Sequence, residues 1–131
     1  MTVNIKLAID VYGNYVFSKP NGGYQNPKGH ISLDNESQPV EVAITLDNGA
    51  CNLGYAFTGN NALGISSDPA TKKTFNGDGG DQFFQLSVSK KCDKLTFHSK
   101  NDDGNYYYYQ LNFEPVPGLL SYIDPILINK L

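Results

Sequence analysis

Alternation of apolar and polar residues is the feature that most constrains how this 131-residue chain folds. Successive side chains of a β-strand point to opposite faces, so a period of two buries one face and leaves the other in water. The predicted inward-facing residues are Val3, Ile5, Leu7 and Ile9; Val40, Val42, Ile44 and Leu46; Phe84, Leu86 and Val88; Leu95 and Phe97; and Tyr107, Tyr109, Leu111 and Phe113. Within the strand over 39–46, Ala43 is predicted to face outward with Glu41 and Thr45. The pattern predicts an all-β chain.

Turn residues divide the chain into short strands. Tyr12-Gly13-Asn14 predicts a turn that leads into a strand over 15–17. Asp47-Asn48-Gly49 predicts a hairpin turn, with Leu53, Tyr55 and Phe57 on the return strand. Short strands are expected at 31–33 and 126–128, and a helical turn at 119–123. Roughly seven to nine strands at this spacing predict a sandwich or a barrel in one domain over residues 1–131. The regular alternation suits two facing sheets and favours an immunoglobulin-like antiparallel β-sandwich.

Charge and hydropathy narrow the classes of partner. Ten basic against 13 acidic residues give a formal net charge of -3, whereas nucleic-acid binding requires clustered Lys and Arg. No apolar run approaches the roughly 18 residues that a membrane-spanning helix needs. The first residues show no apolar leader, so a cytoplasmic location is expected. The sequence therefore predicts neither nucleic acid nor membrane as a partner.

The chain has two cysteines, Cys51 and Cys92. In a cytoplasmic protein we expect reduced thiols, with a disulfide between them as the alternative. Neither cysteine has a Cys or His neighbour at the spacing of a zinc site.

A nucleophilic catalytic set is not visible in the sequence. Such a set needs Ser or Cys beside His and an orienting acid, and the chain has only His30 and His98. Both histidines are expected at the surface. The glycine cluster 77–80 lacks the Lys and the helix of a phosphate-binding loop. The sequence therefore predicts no enzyme and no cofactor.

Acidic loops are a candidate metal site. Asp78 and Asp81 lie in one predicted loop, and Asp102 and Asp103 lie in another. Calcium takes six to eight oxygen ligands, and loops gathered at one end of a sandwich can supply them. The alternative is that Asp beside Gly only forms turns.

Four consecutive tyrosines, at 106–109, are the candidate ligand-binding residues. Strand alternation places Tyr107 and Tyr109 in the core and Tyr106 and Tyr108 on the outer face. Exposed tyrosines stack on sugars or anchor protein interfaces, and Tyr12 and Tyr24 also lie in or beside predicted loops. The alternative is cross-strand pairing that only stabilises the sheet.

Several segments together resemble the DP-EP family of small uncharacterised bacterial proteins. They are the residues 40–46, 54–59, 85–89, 94–98 and 109–113, and the terminal Asp124-Pro125-Ile126-Leu127-Ile128-Asn129 is the most distinctive. The resemblance implies a small bacterial β-sandwich and supplies no catalytic residues.

Two functions follow from these observations. The first is a non-enzymatic module that acts through protein-protein contact or through self-association as a homodimer. The alternative is a domain that binds a carbohydrate or calcium through its loops.

Overall fold

The computed structural model of the chain describes residues 2–18, 25–26, 31–32, 39–59, 61–66, 83–102, 106–123 and 126–128. Within these ranges the chain forms eleven strands and one short helix. In chain order they are β1 (Thr2–Ile9), β2 (Tyr15–Ser18), β3 (Gln25–Asn26), β4 (Ile31–Ser32), β5 (Val40–Leu46), α1 (Asn48–Leu53), β6 (Leu63–Ser66), β7 (Phe83–Val88), β8 (Lys94–Ser99), β9 (Tyr106–Asn112), β10 (Tyr122–Ile123) and β11 (Ile126–Ile128).

The strands form two sheets. The first has the order β3-β2-β1-β5-β8-β7, and the second has the order β10-β9-β11-β4, with β6 also paired to β9. Eight of the described strands have three or more residues, five in the first sheet and three in the second, in agreement with the predicted number. Most pairs are antiparallel, but β1 pairs with β5 and β11 pairs with β4 in parallel. The prediction of an all-β, two-sheet fold is confirmed.

The core contains the inward faces that the alternation predicts. Along β1, every second residue from Val3 to Ile9 is buried, and the residues between them are exposed or half-buried. Tyr109 of β9 is the largest fully buried side chain among the described residues. Aromatic rings join the two sheets, because Phe83 of β7 meets Tyr107 of β9 edge to face with ring centroids 4.8 Å apart. Each large apolar side chain buried in this way stabilises the fold by about 1.5–3 kcal/mol.

The predicted hairpin at Asp47-Asn48-Gly49 is wrong. The Asp47 carboxylate instead accepts a hydrogen bond from the Ala50 N–H at 2.7 Å and caps helix α1. A two-residue hairpin of the Asn-Gly kind needs positive φ at both residues, and neither Asn48 nor Gly49 has it. Gly54 ends the helix at φ 106°, in the left-handed region.

The return strand over 53–57 is therefore also absent. Leu53 is the last residue of α1, and Phe57 makes only an isolated bridge to Phe113. The predicted helical turn at 119–123 is wrong as well, because Tyr122 and Ile123 form β10.

The facing of one pair of residues differs from the prediction, and one outward-facing residue is more buried than its position suggests. Phe83, not Phe84, points into the core, because a bulge between Phe84 and Ser87 places Gln85 at φ 56° and shifts the alternation. Ala43 alternates with the core residues Val42 and Ile44 and lies on the outward face, as predicted, but it is only 1% exposed. Its strand β5 lies between β1 and β8, and this small side chain is flanked by residues of both.

Candidate functional site

Most of the predicted metal ligands lie outside the described residues. Asp78, Asp81 and Asp103 are in this group, whereas Asp102 is described and exposed. Within the described ranges, no group of three or more His, Cys, Asp and Glu side chains is arranged to hold a metal ion. The calcium site stays a prediction.

The tyrosine prediction can be followed along β9. Tyr107 and Tyr109 are buried, as predicted, and Tyr108 is half-buried. The side chain of Tyr106 lies outside the described part, although its backbone belongs to β9. The structure therefore fixes the inward pair and leaves the ligand-binding role of Tyr106 and Tyr108 a prediction.

An amide row continues from Tyr108 along the same strand. The Gln110 Nε2 donates to Asn112 Oδ1 at 2.6 Å, and the Asn112 Nδ2 donates to the Asn61 carbonyl at 2.6 Å. Tyr122 pairs with Asn112 across the strands and is 51% exposed. Tyrosine and amide side chains thus share one region of the second sheet.

A second polar row crosses the first sheet. His98 Nε2 lies 3.3 Å from Glu41 Oε2, and the Thr2 hydroxyl donates to the other Glu41 oxygen at 3.0 Å. The Phe84 ring stacks on the imidazole with centroids 5.2 Å apart. These residues come from neighbouring strands in direct register, which is the ordinary geometry of stabilising cross-strand pairs.

The strand directions bring several connections to one end of the sandwich. β1 and β5 are parallel and both end there, and β8 is antiparallel to β5 and begins there. This end carries the β1–β2 connection, helix α1 and the β7–β8 connection. The segment 114–120 also reaches it, because the Leu120 N–H donates to the Tyr55 hydroxyl at 3.0 Å, just after α1.

The β1–β2 connection, residues 10–14, is named the hairpin tip here. Asp10 organises it, because one carboxylate oxygen accepts hydrogen bonds from the Tyr12 N–H at 2.8 Å and the Asn14 N–H at 2.9 Å. Gly13 has φ 82°, and its N–H donates to the Asp10 carbonyl at 3.1 Å. The turn predicted at Tyr12-Gly13-Asn14 is confirmed.

The same hydrogen bonds set the acidity of Asp10. Desolvation, the largest single influence, raises the pKa of its carboxyl group. The hydrogen bonds from Asn14, Tyr12 and Gly13 together outweigh it, because they stabilise the charged form. The pKa of Asp10 therefore lies below its ordinary value of 3.8.

The hairpin tip presents apolar side chains to water. Tyr12 is 86% exposed and Val11 is 67% exposed, the two highest values among the large hydrophobic residues that the structure describes. Behind them, Leu120 packs so closely on Gly13 that an added Cβ would lie 3.3 Å from its Cδ2. Val116, on the same supporting segment, is 37% exposed. Exposed apolar groups on a supported loop are typical of interaction sites.

Sequence reasoning placed Tyr12 in a loop but missed Val11 and the supporting role of Leu120. Asp10 followed three residues later by Gly13 was the available signal, because that spacing is typical of a tight, side-chain-capped turn. The contact with Leu120 joins residues far apart in sequence and has no local signal.

No protein-family model matches the chain, and no curated protein shows significant similarity to it. The resemblance to the DP-EP family therefore stays a prediction. Among the described residues, no helix has the length and apolar character needed to cross a membrane.

Proposed function

We propose that this protein is a non-enzymatic binding module that inserts its hairpin tip into an apolar groove of another protein. The observation that carries the proposal is Tyr12, which is 86% exposed at the tip of an ordered turn beside the exposed Val11. Tyrosine is enriched among the residues that dominate binding energy, since its ring buries a large area at a small entropic cost.

Preorganisation of the tip supports this function. Asp10 holds the backbone N–H groups of Tyr12 and Asn14, and Leu120 packs behind Gly13. A partner therefore does not have to order the loop on binding. Ordering an interface side chain otherwise costs about 0.5–1.5 kcal/mol each, so a rigid tip binds more tightly than a loose loop with the same residues.

The shape of the tip favours a different protein over a second copy. A two-fold dimer uses the same patch of both subunits, so that patch would have to contain both the tip and a groove that receives the tip of the other copy. A concave apolar site on another protein encloses the exposed Tyr12 ring and Val11 side chain instead. Self-association, the other form of this function that the sequence predicts, is an outcome that the test below separates.

Three further assignments belong to the same proposal: the immunoglobulin-like type of sandwich, a bacterial source and a cytoplasmic location. The strand spacing supports the first and the resemblance to the DP-EP family supports the second, and the third stays a prediction.

A paired capture experiment tests the proposal. The wild-type protein, Tyr12→Ala and Lys91→Ala are immobilised and exposed to the same lysate. Lys91 is the matched control, because it is exposed and stands at the same position of the β7–β8 turn that Tyr12 occupies in the hairpin tip. We expect a protein that binds wild type and Lys91→Ala and is lost with Tyr12→Ala.

Two results would contradict the proposal. Equal capture by all three proteins would show that the hairpin tip is not the binding surface. Concentration-dependent dimerisation of wild type, abolished by Tyr12→Ala in sedimentation equilibrium, would show that the tip binds a second copy.

A second candidate function is carbohydrate binding at the second sheet. It is favoured by the adjacent Tyr108, Gln110 and Asn112 and by the exposed Tyr122, since rings and amides are the groups that bind sugars. A thermal-shift screen with a panel of sugars tests it, and a stabilising sugar should lose its effect with Gln110→Ala. Calcium binding at the acidic loops is tested in the same screen by adding calcium or EDTA. Unchanged melting with all of these additions would eliminate both ligands.

A further inference from the structure

The two cysteines of the chain lie in segments that backbone hydrogen bonds join. Cys51 is in helix α1, and Cys92 is in the β7–β8 connection. Two backbone hydrogen bonds, one on each side of α1, join its segment to that connection. Before α1, the Leu46 N–H donates to the Asp93 carbonyl at 2.8 Å. After α1, the Phe57 N–H donates to the Cys92 carbonyl at 2.7 Å. Both ends of the segment that carries Cys51 are therefore bonded to Cys92 and its neighbour.

The Cys51 side chain lies beside the end of β5. Its Sγ is 3.9 Å from the Leu46 carbonyl oxygen, and the Leu46 N–H is the group that binds Asp93. Burial raises the pKa of the Cys51 thiol first, and the negative charges of Asp93 and Asp47 raise it further. Asp93, whose charge acts on Cys51, belongs to the β7–β8 connection. Both cysteines are half-buried free thiols, so small oxidants can reach them.

Cys92 occupies a position that favours glycine. Its φ is 59°, and its N–H donates to the Ser89 carbonyl at 2.9 Å. In the hairpin tip, Gly13 occupies the corresponding position, with φ 82°, and its N–H donates to the Asp10 carbonyl in the same way. A side chain in the left-handed region is unfavourable, and such outliers are often retained because the side chain has a role.

We propose that Cys92 is a site of reversible oxidation by peroxide and that Cys51 resolves it by forming an intramolecular disulfide. The Cys92 thiolate attacks a peroxide oxygen, the O–O bond breaks, and the leaving hydroxide takes a proton to become water. The Cys51 sulfur then attacks the sulfur of the Cys92 sulfenic acid. The S–O bond breaks as the S–S bond forms, and hydroxide leaves with the Cys51 proton as a second water. Two thiols are oxidised and one peroxide is reduced.

The order of attack follows from the surroundings of the two thiols. The Cys51 Sγ is part-buried beside the Leu46 carbonyl, and burial and the charges of Asp93 and Asp47 raise the pKa of its thiol, which disfavours the reactive thiolate. Cys92 lies between the exposed Lys91 and the half-buried Asp93 in a turn at the surface. Because the Cys92 Sγ lies in an exposed turn, 4.0 Å from the Lys90 carbonyl oxygen, whereas the Cys51 Sγ is part-buried, the first oxidation is assigned to Cys92 and the resolving role to Cys51.

The test treats the purified full-length protein with equimolar hydrogen peroxide, blocks the remaining thiols and measures the intact mass. We expect the wild-type mass to fall by two hydrogen atoms, with no thiol left to block and with a linked Cys51–Cys92 peptide after digestion. Dithiothreitol should restore both thiols. In Cys51→Ser, dimedone should trap a sulfenic acid on Cys92, and in Cys92→Ser the Cys51 thiol should stay reduced at the same dose.

Three results would overturn the proposal: wild-type protein that keeps both thiols, wild-type protein that gains oxygen atoms without a link, or a disulfide that joins two chains. The linked peptide is measured on the wild-type protein, so the outcome does not depend on the folding of either serine variant.

Discussion

Replacing Cys92 with glycine should stabilise the folded protein. Cys92 has φ 59°, and a residue with a Cβ in the left-handed region is disfavoured by about 1 kcal/mol relative to glycine. The turn keeps both of its backbone hydrogen bonds after the change, because they use only main-chain atoms of residue 92. Its carbonyl still accepts from the Phe57 N–H, and its N–H still donates to the Ser89 carbonyl. We therefore expect Cys92→Gly to raise the free energy of unfolding by about 1 kcal/mol, or the Tm by about 4 °C for a domain of this size.

The assay is urea denaturation followed by fluorescence or circular dichroism, in a reducing buffer so that both cysteines stay thiols. Cys92→Ala is the matched control, because it removes the thiol and keeps the Cβ. The reverse substitution is Gly13→Ala, which adds a Cβ at a left-handed position, 3.3 Å from the Leu120 side chain. We expect it to lower the free energy of unfolding by about 1–2 kcal/mol. Equal stability of Cys92→Gly and Cys92→Ala would refute the reasoning.

Three other perturbations test the fold and the hairpin tip by the same denaturation assay. Asp47→Ala should destabilise by about 1 kcal/mol, because the Ala50 N–H loses its cap. Phe57→Ala should destabilise by about 3–5 kcal/mol, because the Phe57 ring is fully buried and stacks on Phe113. Asp10→Asn should remove part of the pH dependence of the free energy of unfolding in acid. The folded pKa of Asp10 lies below its ordinary 3.8, so its charge stabilises the protein above that pH, and this contribution is lost as pH falls through the folded pKa.

Each of these expectations has a contradicting result. An Asp47→Ala variant as stable as Asn48→Ala, its exposed neighbour, would show that the cap contributes nothing. Loss of less than about 1 kcal/mol in Phe57→Ala would place that ring outside the packed core. If the wild-type protein stayed more stable than Asp10→Asn by the same free energy of unfolding even in strong acid, that result would contradict the lowered pKa of Asp10.

The alternation along β1, β5 and β9 was sufficient to predict the strands and their buried faces. A period of two needs no knowledge of the partner strand, and residues such as Leu7 and Tyr109 are buried as it predicts. It failed where the backbone leaves the regular pleat. The bulge after Phe84 reverses the facing of Phe83 and Phe84, and the sequence carries no period that marks it.

The turn at Asp47 shows a second limit. Asp-Asn-Gly is compatible with a hairpin and with a helix start, since Asp is favoured in both. The choice depends on strand partners that are distant in sequence. β5 already has β1 on one side and β8 on the other, so no edge is left for a return strand. The chain turns into α1 instead.

The candidate site was only partly predictable for a similar reason. Tyr12 belongs to a turn that the sequence marks, but its support comes from Leu120, which lies more than a hundred residues further along the chain. The link between the segments that carry Cys51 and Cys92 depends in the same way on the pairing of β5 with β8.

The most direct test of the binding function is a titration of the captured partner against wild type, Tyr12→Ala and Lys91→Ala by calorimetry. An anchoring tyrosine contributes at least about 2 kcal/mol, so Tyr12→Ala should weaken binding by roughly thirtyfold or more. Lys91→Ala should bind with nearly the wild-type Kd. A Tyr12→Ala variant that binds as tightly as wild type would contradict the assignment of the hairpin tip as the binding surface.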